Sequence, residues 1–157
     1  MKLMFLIGLL LASWAAVFAQ GDVPGCNLYV TAKDDNCSGT TTCAQADRCE
    51  TVPFRVVCAN AYWIKAQTDC GQTHCAHCAS CVYIYTDPPG PNYVKFVSTT
   101  DVCDDADCCK FDTWTPAAGN YLLKVCLIPC NEVDEETCCS GICTAWGYVS
   151  SQSLSCQ

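Results

Sequence analysis

Eighteen cysteines constrain this chain more than any other feature, and all of them lie beyond residue 25. The first nineteen residues carry Lys2, an apolar run from Leu3 to Phe18, and the small residues Val17 and Ala19 ahead of a cleavage point. That is the form of a secretory signal peptide over residues 1–19, with Gln20 as the new N-terminus. The run is shorter than the roughly 20 apolar residues that span a bilayer and is interrupted by Ser13 and Trp14, so it reads as a leader and not an anchor. An even number of cysteines in an exported chain implies disulfides. The expected framework takes in Cys26, Cys37, Cys43, Cys49, Cys58, Cys70, Cys75, Cys78, Cys81, Cys103, Cys108, Cys109, Cys126, Cys130, Cys138, Cys139, Cys143 and Cys156, with partners that spacing does not reveal. The expected location is extracellular, with no membrane contact after leader removal.

Residues 20–157 make about one domain's length, enough to bury about two thirds of the unfolded surface without covalent help. Nine bridges therefore exceed what folding requires. They point to durability outside the cell, or to two subdomains that each lack a sufficient core. Each isolated bridge contributes about 2–4 kcal/mol, but nested loops share the same denatured-state entropy and do not sum. The formal charge is −8, and loss of Lys2 with the leader takes it to −9. Nucleic acid is disfavoured as a partner, because the few Lys and Arg residues are scattered.

Apolar and polar residues alternate with period two over Asn27–Ala32, Val52–Ala59, Ala61–Ala66, Val82–Thr86, Tyr93–Thr99, Tyr121–Ile128 and Thr144–Ser150. The loops between them, Lys33–Glu50, Thr68–Ser80, Asp101–Asn120 and Pro129–Gly141, are polar and cysteine-bearing, and no mature segment has helical periodicity. The fold class is all-β: a disulfide-rich antiparallel β-sandwich-like domain with long cysteine-bearing loops. One hairpin is explicit. Val82–Tyr85 and Tyr93–Phe96 flank Asp87-Pro88-Pro89-Gly90-Pro91-Asn92, whose prolines cannot continue a ladder. This loop is also the candidate boundary if 20–157 divides, although pairing of its flanking runs favours a single domain. The segment Ala118-Gly119-Asn120-Tyr121-Leu122-Leu123-Lys124-Val125 resembles the corner-and-strand element of immunoglobulin-like sandwiches, which implies two packed antiparallel sheets. The Cys, Trp, Cys spacing of a true immunoglobulin domain is missing, so no function comes with the resemblance.

Adjacent cysteines seldom bond to each other, so each member of Cys108-Cys109 and Cys138-Cys139 should bond elsewhere. Cys70, His74, Cys75, His77, Cys78 and Cys81 form the densest cluster and hold both histidines. As thiolates and imidazoles these residues suit zinc, with Cys75, Cys78 and Cys81 aligned on a 3₁₀ turn. Cys75-Ala76-His77-Cys78 also resembles the Cys-x-His-Cys motif of thioredoxin-fold oxidoreductases, which implies a reactive thiol pair opening a helix. Here the run passes straight into strand, and export favours disulfides, so half-cystines clamping a turn are the expectation, with no metal and no cofactor.

No Gly-x-Ser-x-Gly elbow accompanies these histidines, and the sequence gives no positive sign of an enzyme. Asp101, Asp104, Asp105 and Asp107, and Glu132, Asp134, Glu135 and Glu136, read as solvated acidic loops without EF-hand spacing. Asn36-Cys37-Ser38 makes Asn36 a candidate glycosylation acceptor. Tyr62, Trp63, Trp114, Trp146 and Tyr148 are candidates for a sugar-stacking platform, against the ordinary role of strand aromatics as core. The leading expectation is a secreted structural or assembly protein of an extracellular layer, matrix or filament, with partners that are extracellular proteins or further copies of itself. The alternative is a monomeric extracellular binding protein, either a toxin-like effector, an inhibitor or a lectin-like module taking a glycan, with Asp87–Asn92 as its rigid binding loop.

Overall fold

A computed structural model of the chain describes residues 26–69, 78–102, 108–130 and 143–156. Eight strands are present: β1 (Tyr29–Asp34), β2 (Glu50–Val56), β3 (Tyr62–Thr68), β4 (Cys78–Thr86), β5 (Lys95–Ser98), β6 (Cys109–Trp114), β7 (Gly119–Pro129) and β8 (Ala145–Ser150). One short 3₁₀ turn covers Cys43–Gln45. The strands form two four-stranded sheets in the orders β1-β8-β3-β6 and β2-β7-β4-β5, with every pairing antiparallel. β1 pairs with β8, β2 with β7, β3 with β6 and β4 with β5, like the rungs of one long hairpin. The β3–β8 and β4–β7 ladders roll that hairpin into two layers. This is the eight-stranded jelly-roll arrangement of a β-sandwich. Each sheet takes strands from both sides of the Asp87–Asn92 loop.

The alternation expected from sequence is the alternation of burial. Along β3, Tyr62, Ile64, Ala66 and Thr68 are buried, while Trp63, Lys65 and Gln67 are only partly covered. Two elements differ from expectation. β6 lies where a loop was expected, because Lys110-Phe111-Asp112-Thr113 is solvent-exposed and has no apolar face to betray it; backbone pairing to β3 makes it a strand. β4 begins at Cys78, so Cys78-Ala79-Ser80-Cys81 is strand and not a turn. It pairs with Cys126–Pro129 of β7 and is buried on both faces, which removes the period-two signal.

The immunoglobulin-like corner is real although the strand order is not that of an immunoglobulin. The Tyr121 hydroxyl donates to the Ala117 carbonyl at 2.9 Å, and Tyr62 makes the equivalent bond to Cys58 at 2.9 Å, so two connections between the layers carry the same lock.

Between the sheets lies a core that includes Val56, Tyr62, Ile64, Val82, Ile84, Leu123, Val125, Leu127 and Val149. Small residues Ala32, Gly147 and Ala66 form one row across β1, β8 and β3, and Gly147 faces Val125 and Val82 of the other sheet. Among the described residues most buried polar groups are paired, the Thr40 and Thr68 hydroxyls being the exceptions. Asp34 accepts backbone N–H bonds from Leu127 (2.8 Å) and Asn36 (2.9 Å), and the Ser80 hydroxyl crosses the layers to the Trp146 carbonyl at 3.0 Å. Burial raises the Asp34 carboxyl above the ordinary carboxylate range, against the lowering effect of those two bonds.

A second core sits on the outer face of the β2-β7-β4-β5 sheet, built from Ala79, Cys81, Tyr83, Cys126, Ile128 and Cys130. Its cover is the segment 37–49, which has no large apolar side chain. Burial by such a segment contributes little, and covalent bonds take over: Cys43–Cys81 and Cys49–Cys126 fasten it to β4 and β7. Ser38 adds a backbone N–H bond to Leu127 (2.9 Å) and a hydroxyl bond to the Arg48 carbonyl (3.0 Å). Cys26–Cys58 ties the approach to β1 to the turn after β2, and Cys109–Cys156 ties β6 to the C-terminal tail. Every described cysteine is disulfide-bonded. Cys108 and Cys109 take different partners, as adjacency requires; Cys138-Cys139, Cys70, Cys75 and Cys103 lie outside the described residues.

Candidate functional site

Strand register places the residues of the outer β2-β7-β4-β5 face in rows. Cys81 pairs with Cys126, and this row lies beneath the stapled segment. The next row runs Thr51, Lys124, Tyr83, Phe96 across all four strands. The cover is anchored one row away, so this row is closed only in part: Tyr83 is buried, Lys124 and Phe96 are half-buried and Thr51 is exposed. On the far side the hairpin loop returns, bringing Pro91, Asn92 and Tyr93 beside Tyr83 and Tyr85. The result is a groove of about 450 Å³ between the Cys43–Ala46 segment and the hairpin.

Four rings line it. Tyr83 lies 4.7 Å from Phe96, 5.4 Å from Tyr93 and 6.1 Å from Tyr85, centroid to centroid, and Tyr85 and Tyr93 meet edge-on at 6.5 Å. Tyr83 is 6% exposed and forms the floor, while Tyr93 is 51% exposed and forms a lip. Burial, with the neighbouring phenols of Tyr85 and Tyr93, pushes the Tyr83 hydroxyl up to about 12. The Lys124 ammonium stands 5.9 Å from the Tyr83 ring centroid. The loop is anchored at its base: Asp87 N–H donates to the Asn120 carbonyl (2.9 Å), the Thr86 hydroxyl to the Pro88 carbonyl (3.0 Å), and the Asp87-Pro88 bond is cis. Neither a carboxylate nor an imidazole lines the groove among the described residues. The groove presents apolar ring faces, phenol hydroxyls, an amide and one cation.

A second aromatic surface covers the outside of the β1-β8-β3-β6 sheet. Trp146 and Tyr148 lie 6.4 Å apart and nearly parallel, Trp63 meets Phe111 at 5.4 Å, and Tyr29 meets Tyr148 at 6.3 Å. Lys33 stands over Trp146 (5.7 Å) and Lys65 over Tyr148 (4.5 Å). The C-terminal tail crosses this face, where Lys65 donates to the Ser155 carbonyl at 3.3 Å. Tyr29 and Phe111 remain 65% and 44% exposed.

The aromatic residues expected to make one platform therefore separate. Tyr62 is core, Trp114 packs edge-on against Tyr121 (4.9 Å) and Phe54 (6.4 Å), and only Trp63, Trp146 and Tyr148 share a face. The concave cluster was missed because Tyr83, Tyr85, Tyr93 and Phe96 read as two strands of a hairpin. Their signal was there: Tyr83 and Tyr85 are two apart and so share a face, directly beside a rigid loop.

Cys78 and Cys81 are in disulfides; Cys70, His74, Cys75 and His77 lie outside the described residues. Among the described residues no group of three or more His, Cys, Asp or Glu could hold a metal ion. Asp101 is paired with Lys110, which holds its carboxyl below the usual range, and the remaining acids of both clusters are outside the described residues. Asn36 is exposed, while Cys37 and Ser38 of the same triplet are buried. Three of the four edge strands are blunted: β2 carries Pro53 and Arg55, β5 has four residues with Lys95 paired to Asp112, and β6 carries Lys110 and Asp112; the fourth edge is β1, Tyr29–Asp34. No described helix is long and apolar enough to cross a membrane. No known protein family matches the chain, and no curated protein is significantly similar to it.

Proposed function

We propose that this protein is a secreted binding module that takes a glycan in the groove between the Cys43–Ala46 segment and the Asp87–Asn92 hairpin loop. The observation that carries this reading is the run of four contiguous rings, Tyr83, Tyr85, Tyr93 and Phe96, in a concavity whose Cys43–Ala46 wall is tied to β4 by Cys43–Cys81. Sugars present apolar C–H faces edged with hydroxyls. Tyrosines meet both demands, with a ring for the face and a phenol for the hydroxyls, at small cost in side-chain entropy. The disulfide and the triple-proline loop hold the site in shape before binding, which reduces the ordering cost on association. An exposed Asn36 fits a glycosylated, exported chain, with its sugar just before the segment that covers the second core.

The test is binding of the mature, oxidised protein to a panel of neutral and acidic oligosaccharides, for the native sequence and for Tyr93→Ala. Tyr93 is exposed, so its removal leaves the core intact. An aromatic at the lip costs about 1 kcal/mol when truncated, so affinity should fall about fivefold. Absence of binding across the panel, or equal affinity of the variant, overturns the reading.

A second reading, assembly into an extracellular layer or filament, is supported by the exposed Tyr29 and Phe111 on the outside of the β1-β8-β3-β6 sheet. Blunting of β2, β5 and β6 leaves the β1 edge and the aromatic face as the surfaces for such contacts. Light scattering across a concentration series tests it: large species support assembly, and a constant single-chain mass refutes it.

A further inference from the structure

The groove holds one charge, and it is positive. Lys124 lies on β7 directly beside Tyr83 of β4, in the middle of the Thr51, Lys124, Tyr83, Phe96 row that forms the floor. Among the described residues it has no carboxylate partner. Lys33 pairs with Asp35, Lys95 with Asp112 and Lys110 with Asp101, and Lys65 is held by the Ser155 carbonyl. Among the described residues no carboxylate lines this groove, while the other described lysines each have a partner. An ammonium so placed, half-buried with its stem against a ring, is available to the ligand.

Resting on the glycan reading above, we propose that the groove selects acidic polysaccharide: a uronate-bearing chain whose sugar rings lie on Tyr85, Tyr93 and Phe96, above the buried Tyr83, and whose carboxylate meets Lys124. The net charge of −8 opposes an anionic ligand at long range. That repulsion is screened beyond about 8 Å at physiological ionic strength, whereas a contact inside a groove with apolar walls is screened far less. A charge-assisted hydrogen bond is also about twice as strong as a neutral one. The local cation therefore decides the preference, and the wider charge lowers the association rate without reversing it.

The experiment measures affinity of the full oxidised protein, at physiological salt, for hexamers of galacturonate, glucuronate and mannuronate, each beside the same hexamer with its carboxyls reduced to primary alcohols. At least one acidic hexamer should bind about tenfold more tightly than its reduced counterpart. Lys124→Met, which removes the charge and keeps an unbranched side chain, should erase that difference. A preference for the reduced hexamers, or a preference that survives Lys124→Met, overturns the proposal while leaving the glycan reading in place. No binding by either set, together with none on the neutral panel, overturns both. Hexaglutamate serves as the peptide control: equal affinity through Lys124 would show a site for acidic peptide and refute the polysaccharide. Unchanged melting of Lys124→Met establishes that the variant is folded.

Discussion

Gly147 leaves no room for a side chain between the two sheets, and replacing it with alanine tests the packing directly. A Cβ at this position would lie 2.3 Å from Val125 Cγ2 and 3.1 Å from Val82 Cγ2. Ordinary carbon contacts are about 3.5–4.0 Å, so the first of these is short by more than 1 Å. Neither valine can swing aside, because each is fully buried, sits in a paired central strand, and is β-branched with few open rotamers. The strain must go into backbone separation or an eclipsed side chain, at about 1–3 kcal/mol. Alanine also reduces the freedom of the unfolded chain, which returns about 0.4–1 kcal/mol. The net expectation is a loss of about 1–2 kcal/mol. With a guanidinium slope of about 4 kcal/mol/M for a chain of this size, the unfolding midpoint should fall by about 0.3–0.5 M at unchanged slope, disulfides intact. Gly90→Ala is the control, since a Cβ there meets nothing nearer than the Thr86 hydroxyl at 3.8 Å. Its midpoint should stay level or rise. Equal midpoints for Gly147→Ala and the native protein would refute the claim that the Ala32, Gly147, Ala66 row sets the distance between the sheets.

The corner bonds should each be measurable: Tyr121→Phe and Tyr62→Phe remove only a hydroxyl from a 2.9 Å bond to a main-chain carbonyl, and each should cost about 0.5–1.5 kcal/mol in equilibrium unfolding. A change below about 0.3 kcal/mol would show the corner to be incidental. Tyr83 predicts a pH effect. Its hydroxyl is raised to about 12 from the ordinary 10, so the native state holds this proton more tightly than the unfolded chain. The associated stability is fully present below pH 10 and is lost as pH rises toward 12. Native protein should therefore lose stability across that interval more steeply than Tyr83→Phe, as read from denaturation midpoints at successive pH values; parallel profiles would sink the argument.

Much of this architecture was legible as local pattern. Period-two alternation marked seven of the strands, the prolines of Asp87–Asn92 marked a hairpin that pairs Tyr83 with Phe96, and the Tyr121 corner was recognisable from eight residues. β6 and the first four residues of β4 were not legible, one because it is exposed on most positions and the other because it is buried on both faces. In neither case does burial alternate, so the two-residue period disappears. The groove was harder still. Its parts come from segment 43–46, β4, the hairpin and β7, and only the register of β7 against β4 puts Lys124 beside Tyr83.

By itself the sequence determined that the chain would be all-β and disulfide-bonded, because both properties follow from residue type and near-neighbour spacing. Which cysteines meet and which strands share a sheet was decided only by the tertiary structure. Cys49 reaches Cys126 across 77 residues, and β1 pairs with the last strand of the chain. Such contacts are settled by which apolar faces can be buried together, a property of the whole fold that no local stretch of sequence encodes.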